Sequence, residues 1–110
     1  MKVTITQIDL KTPFHFFRLS WYALNILNQL KETNYIDFKK TGIWTTHYTM
    51  TLWKSEEDMM AFARSGAHKK AMIDSKKIAK RIKTITIDAE KLPDWKTAKE
   101  ILKTVEGVNY

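Results

Sequence analysis

Residues 44–72 read WTTHYTMTLWKSEEDMMAFARSGAHKKAM, and the hydrophobic period changes part-way through. Residues 43–53 alternate like a strand. Trp44, Thr46, Tyr48, Met50 and Leu52 fall on one face. Ile43, Thr45, His47, Thr49, Thr51 and Trp53 fall on the other. At Ser55 the pattern switches. Ser55-Glu56-Glu57-Asp58 has capping-box spacing, and its acids complement the positive end of a helix. Met59, Met60, Phe62 and Ala63 supply the buried side of that helix, and Ser65-Gly66 ends it, because glycine suits a left-handed cap. A second helix is expected from about Ala67 to Ala79, with His68 in its first turn.

Upstream, residues 2–9 read as a strand in which Val3 and Ile5 alternate with Thr4 and Thr6. The phase changes near Gln7-Ile8, which predicts an end or a bulge there. Thr12-Pro13 is a helix start, with proline where its missing N–H is harmless. That helix runs to about Lys31, with Phe16, Ala23, Leu24, Leu27 and Leu30 on one face and Phe17 and Trp21 widening it. Residues 34–42 form a short, irregular strand with Gly42 as a bend. Downstream, residues 80–88 are the last strand, Pro93-Asp94 is a break, and residues 95–105 are an amphipathic helix closed by Gly107.

This order predicts one α+β domain over residues 1–110: a ferredoxin-like βαββαβ unit with an antiparallel four-stranded sheet and a C-terminal helix. Helices on one sheet face leave the other open to water. The third strand carries large apolar groups on both faces, so a homodimer through the open sheet face is expected.

The chain has 110 residues, a size for one domain. Four tryptophans, four tyrosines and five phenylalanines are enough for a bulky core or an apolar pocket. The absence of cysteine rules out disulfides and thiolate chemistry and fits a cytoplasmic protein. Residues 1–10 lack a signal-peptide apolar region, and no apolar run approaches the roughly 18 residues of a membrane span, so no membrane partner is expected. The net charge of +7 favours anionic partners. Lys69, Lys70, Lys76, Lys77, Lys80, Arg81 and Lys83 concentrate it. Nucleic acid is disfavoured, because these residues lie mainly on a helix and the glycine and aromatic signature of RNA-binding sheets is missing.

Trp44, Thr51-Leu52-Trp53 and Ser55, together with Phe62, Arg64-Ser65-Gly66-Ala67-His68 and Ala71-Met72, resemble the dimeric α+β barrel superfamily. The resemblance covers about residues 1–90. It is nearest to proteins of the antibiotic biosynthesis monooxygenase and spheroidene monooxygenase type, a group with many uncharacterised members. It implies two ferredoxin-like subunits packed sheet to sheet, with a small-molecule pocket between sheet and helices in each. Haem-degrading members use an Asn on the first strand, a Trp and a later His. This chain has Gln7 on that strand, Trp53, and Met72 about a turn after His68, so no haem or other cofactor is expected. Members that form quinones without a cofactor surround a polyphenol with Asn, Trp, Tyr and Arg; this chain offers Tyr48, Trp44, Arg64 and His68 as candidates, without a residue-by-residue match.

His68, near a helix N-terminus, would be a neutral base, since that end disfavours imidazolium. The plainer alternative is a structural histidine. His47 and Tyr48 are neighbours on a strand and point to opposite faces. The reading adopted puts Trp44, Tyr48 and Met50 under the helices and His47 toward a dimer partner. A tyrosine on an apolar face is more often a packed ring than a catalyst. Trp21 would complete the substrate-binding set. His15 reads as structural and Arg18 as solvated. Three histidines at no ligand spacing predict no metal site. The functional expectation is therefore a small-molecule-binding protein, either a cofactor-independent monooxygenase-like enzyme for an aromatic or apolar substrate, or a non-catalytic ligand-binding or structural dimer.

Overall fold

β-Branched and aromatic residues in alternation build a five-stranded antiparallel sheet: β1 (Lys2–Leu10), β2 (Tyr35–Ile43), β3 (Thr46–Trp53), β4 (Ala79–Asp88) and β5 (Val108–Asn109). The spatial order is β2-β3-β1-β4-β5. The computed structural model describes residues 1–64 and 66–110, without the side chains of Ala67 and His68. The expected ferredoxin-like α+β class holds. The sheet has one strand more than expected, because the chain end returns as β5 and pairs with Arg81 and Ile82 on the outer edge of β4. β1 runs in register through Gln7 and Ile8, where an end or bulge was expected, and the shift against β4 lies beyond them, between Asp9 and Leu10.

The helices are α1 (Phe16–Leu30), α2 (Glu56–Ala63), α3 (Gly66–Asp74) and α4 (Trp95–Lys103). A 3-10 turn over Pro13–His15 leads into α1, and another over Ser75–Lys77 follows α3. Thr12 is extended, as a residue before proline should be. Its hydroxyl lies 2.8 Å from His15 Nδ1, so it ties the first turn through a side chain. Ser55 caps α2 as expected, its Oγ accepting from the Asp58 N–H at 3.2 Å. Gly66 has φ +58, the left-handed conformation expected of it.

The β2–β3 hairpin differs from the sequence reading. The turn is at Trp44-Thr45 and not at Gly42, so Trp44 lies on neither strand face. Its φ is +60, a conformation that bulky residues rarely adopt and alternation cannot reveal. Two contacts hold the turn: Thr45 O accepts from Leu10 N–H at 2.8 Å, and Trp44 O accepts from the His47 ring at 3.0 Å.

The two sheet faces are covered by different helices. On one, Val3, Ile5, Met50 and Leu52 pack against Leu92, Ala98 and Leu102 of the α4 region, with Tyr48, Ile85 and Ile87 beside them. On the other, Trp53 packs with Leu30, Met59 and Phe62 from α1 and α2. The sheet face opposite α1 and α2, expected to lie open, is therefore covered by α4 at Val3, Ile5, Met50 and Leu52. The expected phase of β3 is reversed as well: His47 and Trp53 face α1 and α2, while Tyr48 faces α4.

Candidate site on the threonine face of the sheet

Three adjacent strands bring six threonines into register. Thr4 of β1 pairs with Thr51 of β3 and Thr86 of β4, and Thr6 pairs with Thr49 and Thr84. Directly paired antiparallel residues share a face, so the six hydroxyls form two rows on the side of α1 and α2. Each row is flanked by larger groups. Trp53 lies beyond the Thr51 row, and His47, Ile8 and Ile82 lie beyond the Thr49 row.

Met59 reaches down from α2 onto the first row. Thr4 Oγ1 donates to its sulfur at 3.0 Å, and Thr86 Oγ1 lies 3.7 Å from the same atom. Over the second row, the Thr6 and Thr84 hydroxyls face each other at 3.4 Å. Thr84 and Thr86 are exposed, so this floor opens to solvent on the β4 side. Trp53 and Phe62, with ring centroids 5.3 Å apart, wall one end.

His47 stands at the other end. Its ring is stacked 5.3 Å from Phe16 at the start of α1. Since the Trp44 carbonyl can only accept, His47 Nε2 carries the proton in their 3.0 Å hydrogen bond. In the neutral ring Nδ1 then keeps a lone pair. Gly42 makes room for it, because a Cβ at Gly42 would collide with His47 Nδ1. A glycine opposite the histidine is thus a requirement of this ring position.

Of the five side chains expected to form a site, the four that are described do not gather at one place. Tyr48 is on the opposite sheet face, 6.3 Å from the Trp95 ring and 5.0 Å from Lys99 Nζ. Trp44 is at the hairpin tip and exposed. Trp21 is exposed on α1, beside a depression of about 300 Å³ lined by Trp21, Tyr22, Asn25 and Lys70. Arg64 is exposed at the C-cap of α2. His68 lies outside the described residues. A second depression of about 330 Å³ runs from Glu32 and Asn34 to Trp53 and Phe62. Among the described residues no group of three His, Cys, Asp or Glu is placed to hold a metal.

The threonine face escaped the sequence reading although its signal was present, as Thr at i and i+2 in three separate strands. Strand register, which no single strand reveals, aligns those pairs. An ion pair with one buried partner also escaped it. Asp9, on the Tyr48 face, accepts from Arg81 Nε at 3.0 Å and from Gln7 Nε2 at 3.0 and 3.2 Å.

No protein-family model matches the chain, and no curated protein matches it significantly. Solved structures match closely in shape. A protein from Deinococcus radiodurans, provisionally assigned as an antibiotic biosynthesis monooxygenase, superposes with TM-score 0.72 at 10% identity, covering 86% of this chain and 97% of that one. The two share a ferredoxin-like α+β fold. A conserved protein from Methanosarcina mazei matches with TM-score 0.72 at 12% identity over 81% and 92% of the two chains. A variant of SnoaB, a cofactor-independent oxygenase from Streptomyces nogalater, matches with TM-score 0.65 at 8% identity over 84% and 97%. At such identities the likeness is one of fold, on which different activities are built.

Proposed function

We propose that this protein binds a small aromatic or apolar molecule between the threonine floor and α1–α2, and acts on it as a cofactor-independent monooxygenase-like enzyme. The observation that carries the reading is the two-row array of six threonines, open on the β4 side and walled by Trp53 at one end and His47 at the other. Rows of hydroxyls can donate to and accept from phenol and quinone oxygens, and the flanking rings offer apolar contact. The likeness to SnoaB, described as a cofactor-independent oxygenase, supports the reaction type.

In this scheme His47 Nδ1 takes a phenolic proton, while the Trp44 carbonyl holds Nε2–H and so fixes the tautomer. The electron-rich anion then reacts with dioxygen. Conversion of a ring methylene to a carbonyl with release of one water balances, the substrate supplying all the electrons. The base expected from the sequence, His68, remains the competing assignment, and Trp21 and Arg64, on the helix side, remain candidates for contacts to a larger substrate. Tyr48 and Trp44 would serve such a molecule only from the far face and the hairpin tip. The homodimer belongs to the same proposal, through the part of the Tyr48 face that α4 leaves uncovered, with a cytoplasmic location. Light scattering should then give twice the chain mass.

The test uses 1,8-dihydroxyanthrone as probe, with an oxygen electrode and absorbance of the quinone. Oxygen uptake that falls about a hundredfold or more in His47→Ala supports the scheme. Uptake that is unchanged in His47→Ala but lost in His68→Ala moves the base to α3. The second reading, a non-catalytic binder, is favoured by the Phe16 stack and the Trp44 hydrogen bond, which already account for His47 structurally. Quenching of tryptophan fluorescence by the anthrone without oxygen uptake selects that reading. Neither quenching nor uptake removes the threonine floor as a site for this class of molecule.

A further inference from the structure

We infer that the end of the molecule formed by the β2–β3 turn and the start of α1 is an attachment surface for an anionic lipid bilayer. Phe14, Phe17, Ile43 and Trp44 are 82%, 76%, 84% and 74% exposed, among the most exposed large apolar residues described. Contacts on the sheet end bring them to one place. Phe16, adjacent to Phe17, stacks on His47, and His47 is bonded to the Trp44 carbonyl. Leu10 N–H donates to Thr45 O and Lys11 N–H to Ile78 O, so the β1 end, the hairpin tip and the start of β4 lie side by side.

The charge at this end has one sign. The segments that build it, residues 10–20, 38–47 and 75–81, contain Lys11, Arg18, Lys39, Lys40, Lys76, Lys77, Lys80 and Arg81 and no Asp or Glu. Of the acids that flank them, Asp74 and Asp9 are engaged by Lys77 and Arg81, and Asp37 pairs with Leu52, away from the hairpin tip. Aromatic and aliphatic side chains that project from a basic surface suit the headgroup region of a bilayer, where Trp and Phe enter the interface and Lys and Arg meet anionic lipid. A second copy of this chain is a poor occupant, because it would bring the same cations against each other. The four apolar groups project from a turn and a helix start and do not line a groove, which suits a soft lipid surface better than a folded partner. No described helix is long and apolar enough to cross a membrane, so the attachment is peripheral. The inference stands on the tip alone and is independent of the threonine floor.

The experiment is co-sedimentation of the whole chain with vesicles of phosphatidylcholine, with and without about one third phosphatidylserine. Binding to the phosphatidylserine vesicles alone, falling several-fold as salt is raised, is expected, with a blue shift of tryptophan emission. The triple variant Phe14→Ser, Phe17→Ser, Trp44→Ser should lose at least about tenfold in affinity while keeping the wild-type circular dichroism. If it fails to fold, Trp44→Gly removes one anchor at a backbone position that favours glycine and should still weaken binding measurably. No binding by wild type at low salt overturns the inference. So does wild-type binding by the folded variants. A change of association state in the variants by light scattering also overturns it, since the tip would then be covered by a second copy.

Discussion

At the scale of single residues, two backbone positions carry opposite consequences. Trp44 holds φ +60, where its side chain is strained, and its ring is exposed, so no packing compensates the strain. Trp44→Gly should leave stability unchanged or raise it by up to about 1 kcal/mol, part of the strain relief being offset by the greater freedom of glycine in the unfolded chain. A lower melting temperature would contradict this. Gly66 has a similar φ of +58 with the residue already suited to it, and an added Cβ would lie 3.0 Å from Gln29 Cδ. Gly66→Ala should therefore destabilise by about 1 kcal/mol or more in a denaturant titration. Both angles belong to the same backbone region, yet only one was legible. Gly66 follows a helical run, where a left-handed glycine is the usual ending. Trp44 sits in a run that alternates without a break, and nothing in its chemistry announces a turn. That missed angle also misplaced Trp44 beside Tyr48 in the expected site.

At the scale of elements, capping and packing make separate contributions. Ser55→Ala removes the acceptor for the Asp58 N–H and should cost about 1 kcal/mol, with the helix otherwise intact. α4 depends on packing instead. Leu102 is 1% exposed and sits against the β1–β3 core. Leu102→Ala should cost about 3 kcal/mol, the range for buried leucines, and should raise amide exchange in α4 before the sheet opens. Equal exchange rates in α4 and β1 throughout would show that α4 is not a separable layer. The existence of α4 was readable from Trp95, Ala98, Ile101 and Leu102 at helical spacing. Its destination was not, because periodicity defines an apolar stripe and leaves open which surface meets it. The same limit reversed the faces of β3: alternation sorted His47 from Tyr48 correctly, but α4 on one side and α1–α2 on the other decided what each would meet.

At the scale of the whole molecule, an excess of positive charge makes the few structured carboxylates matter most in acid. Asp94 accepts from the Thr97 N–H at 2.7 Å as the N-cap of α4, and this hydrogen bond holds its carboxyl below the usual range. Asp88 is lowered by Lys2, whose ammonium lies 2.6 Å away where β1 and β4 meet, and Lys2 is raised in return. A depressed carboxyl contributes stability above its unfolded value, and that stability is lost as pH falls through the folded value. A raised lysine contributes below its unfolded value and loses it as pH rises through the folded one. The protein should thus be most stable between these limits and should lose stability below about pH 4, where the repulsion of a net charge of +7 grows as carboxylates protonate. The two acids separate by salt. The Lys2–Asp88 pair is exposed, so raised salt should screen it, while the Asp94 cap is a short hydrogen bond that salt weakens less. Asp94→Asn keeps a capping side chain without a titrating group, and should flatten the acid limb of the melting-temperature profile at any salt. Lys2→Met should flatten it at low salt only. An acid limb identical to wild type in both variants would place the relevant carboxylates elsewhere.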